Sequence, residues 1–268
     1  MNRNAQAFSW GTGIGTLGGL IGLGGAEFRL PVLAGIFQFR LLDAIVINLL
    51  VSLVTVIFSL IFRVGIGGLE SLLSYGYVVM NLLAGSLLGS WVGVHYATRV
   101  NERALLKAVV VLLICLSLTL ISHPWLSHAG GLNLPTLVTV ALGLVAGCLI
   151  GVFSSLLGVA GGELIIPTIL LLYGLDIKIA GSLSLAISIP TILMGLSRYR
   201  AKQCFSEIHL HRSFVTWMAV GSILGALGGA LLLPFVPGAA LHVLLGVILL
   251  LSAWKLARKD RHIKITGN

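Results

Sequence analysis

Charge is scarce in this chain: 17 Lys and Arg and 8 Asp and Glu make up only 9 % of its 268 residues, where a water-soluble domain carries about a quarter. So few charged side chains cannot cover a water-facing surface. A soluble enzyme, a nucleic-acid-binding module and a disordered tail are therefore excluded. Three cysteines form no disulfide framework: Cys115 and Cys148 lie inside apolar runs, and Cys204 sits among cations. No Gly-x-x-x-x-Gly-Lys-Ser/Thr phosphate loop is present, which argues against a nucleotide-driven pump. No nucleophile, histidine and acid stand in a catalytic arrangement. His123 with His128, and His209 with His211, lack Cys or carboxylate companions at metal-ligand spacing. The expectation is a non-enzyme without cofactor or metal.

What is present is apolar. Hydrophobic residues make up 57 % of the chain, and 34 positions are Gly. Long unbroken runs, with none of the polar–apolar alternation of barrel strands, predict an all-α integral membrane protein. At about 20 apolar residues per crossing, the length allows roughly nine or ten segments and no second, water-soluble domain. The apolar stretch from Phe8 onwards is interrupted by glycines and reads as structure, not as a signal peptide.

The formal net charge of +9 would suggest a nucleic-acid partner in a soluble protein, but position overrides sign here. Cations cluster beside apolar runs: Arg99, Arg103 and Lys107; Arg198, Arg200, Lys202 and Arg212; and Lys255, Arg258, Lys259, Arg261 and Lys264. By the positive-inside rule these stretches are cytoplasmic, and the lysine- and arginine-free stretches around Gly130 and Gly238 face the opposite side.

Sliding the sequence against itself brings its halves into register at a constant offset of 136 residues: Gly15, Gly22, Gly25, Glu27 and Pro31 fall on Gly151, Gly158, Gly161, Glu163 and Pro167. Gly85, Ser86, Leu88, Gly89 and Gly93 likewise fall on Gly221, Ser222, Leu224, Gly225 and Gly229. Each unit carries five apolar segments, read as 8–23, 27–38, 41–62, 72–98 and 104–122, then 136–157, 163–174, 179–197, 212–233 and 239–257. The predicted organisation is a first repeat over 1–122 with a hairpin at 8–38, and an external linker at 123–135. A second repeat follows over 136–257 with a hairpin at 136–174, then a cytoplasmic basic tail at 258–268.

The second segment of each unit is short, about 18 Å of helix at 1.5 Å per residue against a core of roughly 30 Å. The first two segments therefore form a glycine-broken hairpin whose ends share a side. Three further crossings make the two units inverted. Both termini are then cytoplasmic, Arg63 and Lys178 fall outside, and Arg29 belongs to the hairpin. Inverted repeats with glycine-interrupted segments at matching positions are the architecture of secondary transporters.

The turns are Gly22-Leu-Gly-Gly-Ala-Glu-Phe-Arg-Leu-Pro31 and Gly158-Val-Ala-Gly-Gly-Glu-Leu-Ile-Ile-Pro167. Non-helical backbone at membrane depth must line a polar cavity or be satisfied by protein. Glycine leaves the amide N–H groups uncovered, and a helix that starts there favours an anion. Gly22, Gly24, Gly25 and Ala26, with Gly158, Gly161 and Gly162, are thus candidate substrate-binding positions. Glu27 and Glu163 read either as first-turn caps or as carboxyls that titrate and carry a proton. Arg29, matched by Ile165, either pairs with Glu27 or holds an anion, and the two-residue spacing disfavours an intrahelical bridge. Asn48 and Ser52, and Ser184 and Ser188, match under the repeat, and each pair shares one helix face. Gly85, Gly89 and Gly93, Gly143, Gly147 and Gly151, and Gly221, Gly225 and Gly229 form small-residue ridges suited to helix packing, with homodimerisation or direct substrate contact as the alternatives.

The paired glycine–proline hairpins, over nearly the whole chain, resemble those of the sulfite exporter TauE/SafE family. The resemblance implies an inner-membrane carrier of sulfite, sulfoacetate, thiosulfate or a related organosulfur anion, coupled to the proton gradient. Many relatives are apolar where Glu27 and Glu163 stand. The partners expected are thus a small sulfur-containing anion, protons and the lipid bilayer, with no nucleic acid. A cation or metal-ion carrier using Glu27 and Glu163, or a non-transporting membrane subunit, are the other readings.

Overall fold

A computed structural model describes residues 3–96, 102–122, 135–157, 161–201 and 211–265. All the regular structure among them is helical. Among the described residues, four helices are long and apolar enough to cross a membrane by length and composition: Asp43–Gly68, Thr136–Ser154, Ile177–Ser197 and Arg212–Leu232. The chain is a multi-pass membrane protein. Gly158, the linker histidines, Arg99, Lys202 and Cys204 lie outside the described residues.

The first half opens with α1 (Arg3–Ile21), reverses through the turn at 22–25, and returns as α2 (Ala26–Pro31). The expected single short helix over 27–38 is in fact two pieces, because α2 passes at Pro31 into a wider, π-helical turn over Val32–Ile36. Phe37 N–H reaches back to Val32 O at 3.1 Å, a step of five residues. Pro31 stands at this junction, whereas its counterpart Pro167 lies inside the uninterrupted α8. Next come α3 (Leu41–Arg63), a second π-helical turn (Val64–Gly68), the short α4 (Leu69–Ser74), α5 (Gly76–Tyr96) and α6 (Glu102–Ser122). The second half comprises α7 (Thr136–Leu157), α8 (Gly162–Tyr173), α9 (Ile177–Ala201), α10 (Arg212–Leu232) and α11 (Gly238–Ile265).

The halves are interleaved. The α1 helix packs along α10, and α5 along α7, each pair joined through glycines. A Cβ on Gly15 would run into the Ser222 backbone, and one on Gly225 into Thr12 and Thr16 of α1. Gly89 lies as tightly on Cys148, and Gly151 on Ser86. Lipid tails give helices no hydrophobic reason to associate, so backbone approach across small residues supplies the packing. The described glycines of the three ridges are thus buried in contacts inside one chain.

Two polar knots hold the hairpin ends. Arg3 Nη2 donates to Phe37 O at 3.2 Å, and its guanidinium lies 5.0 Å from the centre of the Phe39 ring, which packs on Phe214 at the start of α10. Asn81 on α5 donates to Tyr173 Oη at the end of α8 at 2.7 Å and to Val140 O of α7 at 3.2 Å. The α3 and α9 helices pack on each other at the centre, where Leu49 and Val56 meet Leu185 and Ile192. Large apolar side chains such as Met80, Trp91, Leu137 and Leu224 are exposed, as a lipid-facing belt requires.

Candidate functional site

The first turn exists because its glycines take a backbone conformation that other residues resist. Gly25 has φ 74° and Gly161, its counterpart ahead of α8, also has φ 74°. Left-handed backbone at these two points reverses the chain directly into α2 and α8. The two turns meet: a Cβ on Gly162 would stand 3.2 Å from Leu23 O and 3.4 Å from Ser184 Oγ. Gly22 lies against the backbone of Gly181 on α9. The hairpin of the first half therefore ends on the helices of the second.

From α2, Arg29 turns inward and is wholly buried. Its Nη1 donates to Ser52 Oγ at 2.7 Å, and its Nη2 to Thr55 Oγ1 at 3.1 Å and Ser222 Oγ at 3.3 Å. Ser52 is the twelfth of 23 residues in α3, and Ser222 the eleventh of 21 in α10, so the guanidinium sits half-way along both helices. Thr55 Oγ1 donates to Val51 O and Ser222 Oγ to Gly11 O. Their lone pairs are thus what Arg29 meets. All three partners are neutral, and Arg29 Nε has none. A Cβ on Gly25 would lie 3.7 Å from Arg29 Nη2, which puts the turn beside the cation.

Glu27 does not pair with Arg29. Both its carboxylate oxygens are buried without a hydrogen-bond partner, as the two-residue spacing along the helix implies. Glu163 is differently held: it is buried at the start of α8 and accepts a hydrogen bond from Ser252 Oγ of α11 at 3.1 Å.

Asn48 on α3, and Ser184 and Ser188 on α9, are completely buried, and their side-chain polar atoms find no partner. A buried donor left unmade costs about 1–3 kcal/mol, so each of these groups is held at a cost. Ser52 lies beside Arg29 and the first turn, and Ser184 lies beside Gly162. Sequence reasoning missed Thr55 and Ser222 as Arg29 partners. The signal was available for the first: Thr55 and Thr191 also match at the 136-residue offset and extend the faces of Ser52 and Ser188 by one further turn.

Residues 1–120 and 129–267 match the family model described as sulfite exporter TauE/SafE. The chain belongs to that family. No curated protein and no solved structure matches it. Membership of TauE/SafE makes this a membrane protein of a transporter family.

Proposed function

We propose that the chain is a secondary carrier of small sulfur-containing anions, such as sulfite, thiosulfate or a sulfonate, working by alternating access with proton coupling. The observation that carries this reading is Arg29. A cation near the middle of a membrane-spanning bundle costs about 2.5–3.5 kcal/mol even by the lenient insertion scale. Three hydroxyl partners solvate Arg29 without neutralising it. A bound oxyanion would supply the missing charge and accept from Arg29 Nε, Asn48 and the serines, all of which can donate.

The finer mechanism builds on the two matched hairpins, taken as inverted repeats whose turns converge on the substrate. Exchange of conformation between the halves would expose the Arg29 half-site and the Ser184–Ser188 half-site to opposite sides in turn. Glu27, buried and unpartnered, is the proton carrier of the first half: it takes up a proton with the substrate and releases it on the other side. Glu163 plays the same part in the second half. The protein is assigned to the inner membrane, with both termini and the basic stretches 99–107, 198–212 and 255–264 cytoplasmic.

Purified full-length protein in proteoliposomes, challenged with labelled sulfite, thiosulfate and a sulfonate with and without a pH gradient, tests the reading. Saturable flux of at least one of these anions, accelerated by the gradient, is expected. Flux equal to that of empty vesicles for all three would overturn it.

A further inference from the structure

The polar face of α3 does not end at Thr55. Ser59 and Arg63 continue it, so Asn48, Ser52, Thr55, Ser59 and Arg63 follow one another in steps of three or four along one side of the helix, all of them buried. Ser59 Oγ, one turn beyond Thr55 and one turn short of Arg63, has no hydrogen-bond partner. The repeat drawing sets Arg63 on the non-cytoplasmic side. Its side chain turns inward and is only 3 % exposed. Its Nε donates to Gly19 O at 3.0 Å and its Nη2 to Leu20 O at 2.8 Å, closing the carbonyls at the end of α1. Its Nη1 donates to Lys178 O at 3.2 Å and Ser182 Oγ at 3.1 Å. These four bonds leave one N–H unused, and every acceptor is neutral.

Beyond this guanidinium opens a cavity of about 240 Å³, bounded by Arg63, Lys178, Ser182, Gly67, Leu233 and Pro234 among others. No acidic side chain is among the described residues that line it. Asp176, two residues before Lys178, is turned to the Lys178 backbone N–H at 2.8 Å. Lys178 Nζ reaches only Pro234 O, at 3.4 Å, so its charge remains available. Ser182 Oγ donates to Lys178 O at 3.2 Å, so the cavity offers a small anion two cations, Arg63 and Lys178.

We propose that the Arg63–Lys178–Ser182 cavity is a second anion site, which takes a small oxyanion from the non-cytoplasmic side and passes it along the α3 polar face, by way of Ser59, to Arg29. Eight residues separate Thr55 from Arg63, about 12 Å of helix at 1.5 Å per residue. The hand-over rests on the carrier function proposed above, whereas anion binding in the cavity does not.

Equilibrium binding of radiolabelled sulfite to the purified full-length chain tests the site. Arg29→Gln is expected to retain one class of weak binding, and adding Lys178→Glu to reduce that affinity about tenfold or more by reversing a charge at the ligand. Absence of residual binding in Arg29→Gln, or residual binding indifferent to Lys178→Glu, overturns the proposal. Should Arg29→Gln fail to fold, Lys178→Gln in the otherwise native chain provides the second measurement. In oriented proteoliposomes it is expected to raise the KM several-fold for sulfite presented on the 64–68 side, with the KM from the other side unchanged. Equal KM values for wild type and variant on the cavity side overturn the proposal. A native chain that binds sulfite in the cavity yet moves none would overturn the carrier function and leave this site standing.

Discussion

Glu163 and Glu27 occupy matching positions ahead of matching helices, yet Glu163 accepts a hydrogen bond from Ser252 at 3.1 Å while both oxygens of Glu27 are buried without a partner. One sequence signal has thus produced two chemical situations. A held carboxylate contributes to the fold, whereas an unheld one is retained at a cost of about 1–3 kcal/mol.

Glu27→Gln is therefore expected to leave the unfolding midpoint in mild detergent unchanged or slightly raised, and Glu163→Gln to lower stability by about 1 kcal/mol through loss of a charge-assisted bond. In flux assays Glu27→Gln should flatten the pH dependence of transport more than Glu163→Gln does. A wild-type pH profile in both variants would assign these carboxylates to capping alone.

Arg29→Lys keeps the charge but not the fork. A lysine presents one ammonium and cannot bridge Ser52, Thr55 and Ser222 from two nitrogens. Initial rates of anion uptake should fall on the order of 100-fold, about 2.7 kcal/mol at 1.4 kcal/mol per tenfold change, with the protein still monodisperse. Uptake within twofold of wild type would show that the substrate charge is held elsewhere.

Gly25→Ala and Gly161→Ala separate the two turns. Each forces a side chain into left-handed backbone, at about 1–3 kcal/mol. At Gly25 the new Cβ also meets Ile14 Cγ2 at 2.5 Å and stands 3.7 Å from Arg29, whereas at Gly161 the nearest atom, Ile150 Cγ2, is 3.1 Å away. Gly25→Ala should lose substrate affinity in folded protein, and Gly161→Ala mainly stability. Undiminished affinity in correctly folded Gly25→Ala would remove the first turn from the site.

Two glycines of α1 test the packing. A Cβ on Gly13 meets nothing within 4 Å, so Gly13→Ala should stabilise by about 0.5–1 kcal/mol through helix propensity. Gly15→Ala, driven into the Ser222 backbone, should destabilise by about 1–3 kcal/mol. Comparing their unfolding midpoints in the same detergent decides the matter, and equal midpoints would mean that α1 does not pack on α10 as described.

The sequence was most informative where the physics is local. Apolar runs separated by cations and glycines fall on helices, and Gly25 and Gly161 adopt the left-handed backbone of the turns they were read as forming. Asn48 and Ser52, with Ser184 and Ser188, could be singled out because helical spacing sets them on one face whatever that face meets. The stretch after Pro31, expected as part of one short helix, passes instead into a π-helical turn over Val32–Ile36. What the spacing left open is the partner of Arg63, whose length lets it reach back to the end of α1.

The sequence by itself determined a helical membrane protein, its two glycine turns and its polar helix faces, because backbone sterics and hydropathy act within a turn or two of chain. Only the tertiary structure decided that α1 packs on α10, that Arg29 meets Ser52, Thr55 and Ser222, and that Glu163 has Ser252 while Glu27 is left alone. The partner of a long side chain depends on which helices cross at its depth. That crossing is fixed by glycines on two helices at once, one of them about 200 residues away along a chain whose ~1.5 Å steps carry no record of it.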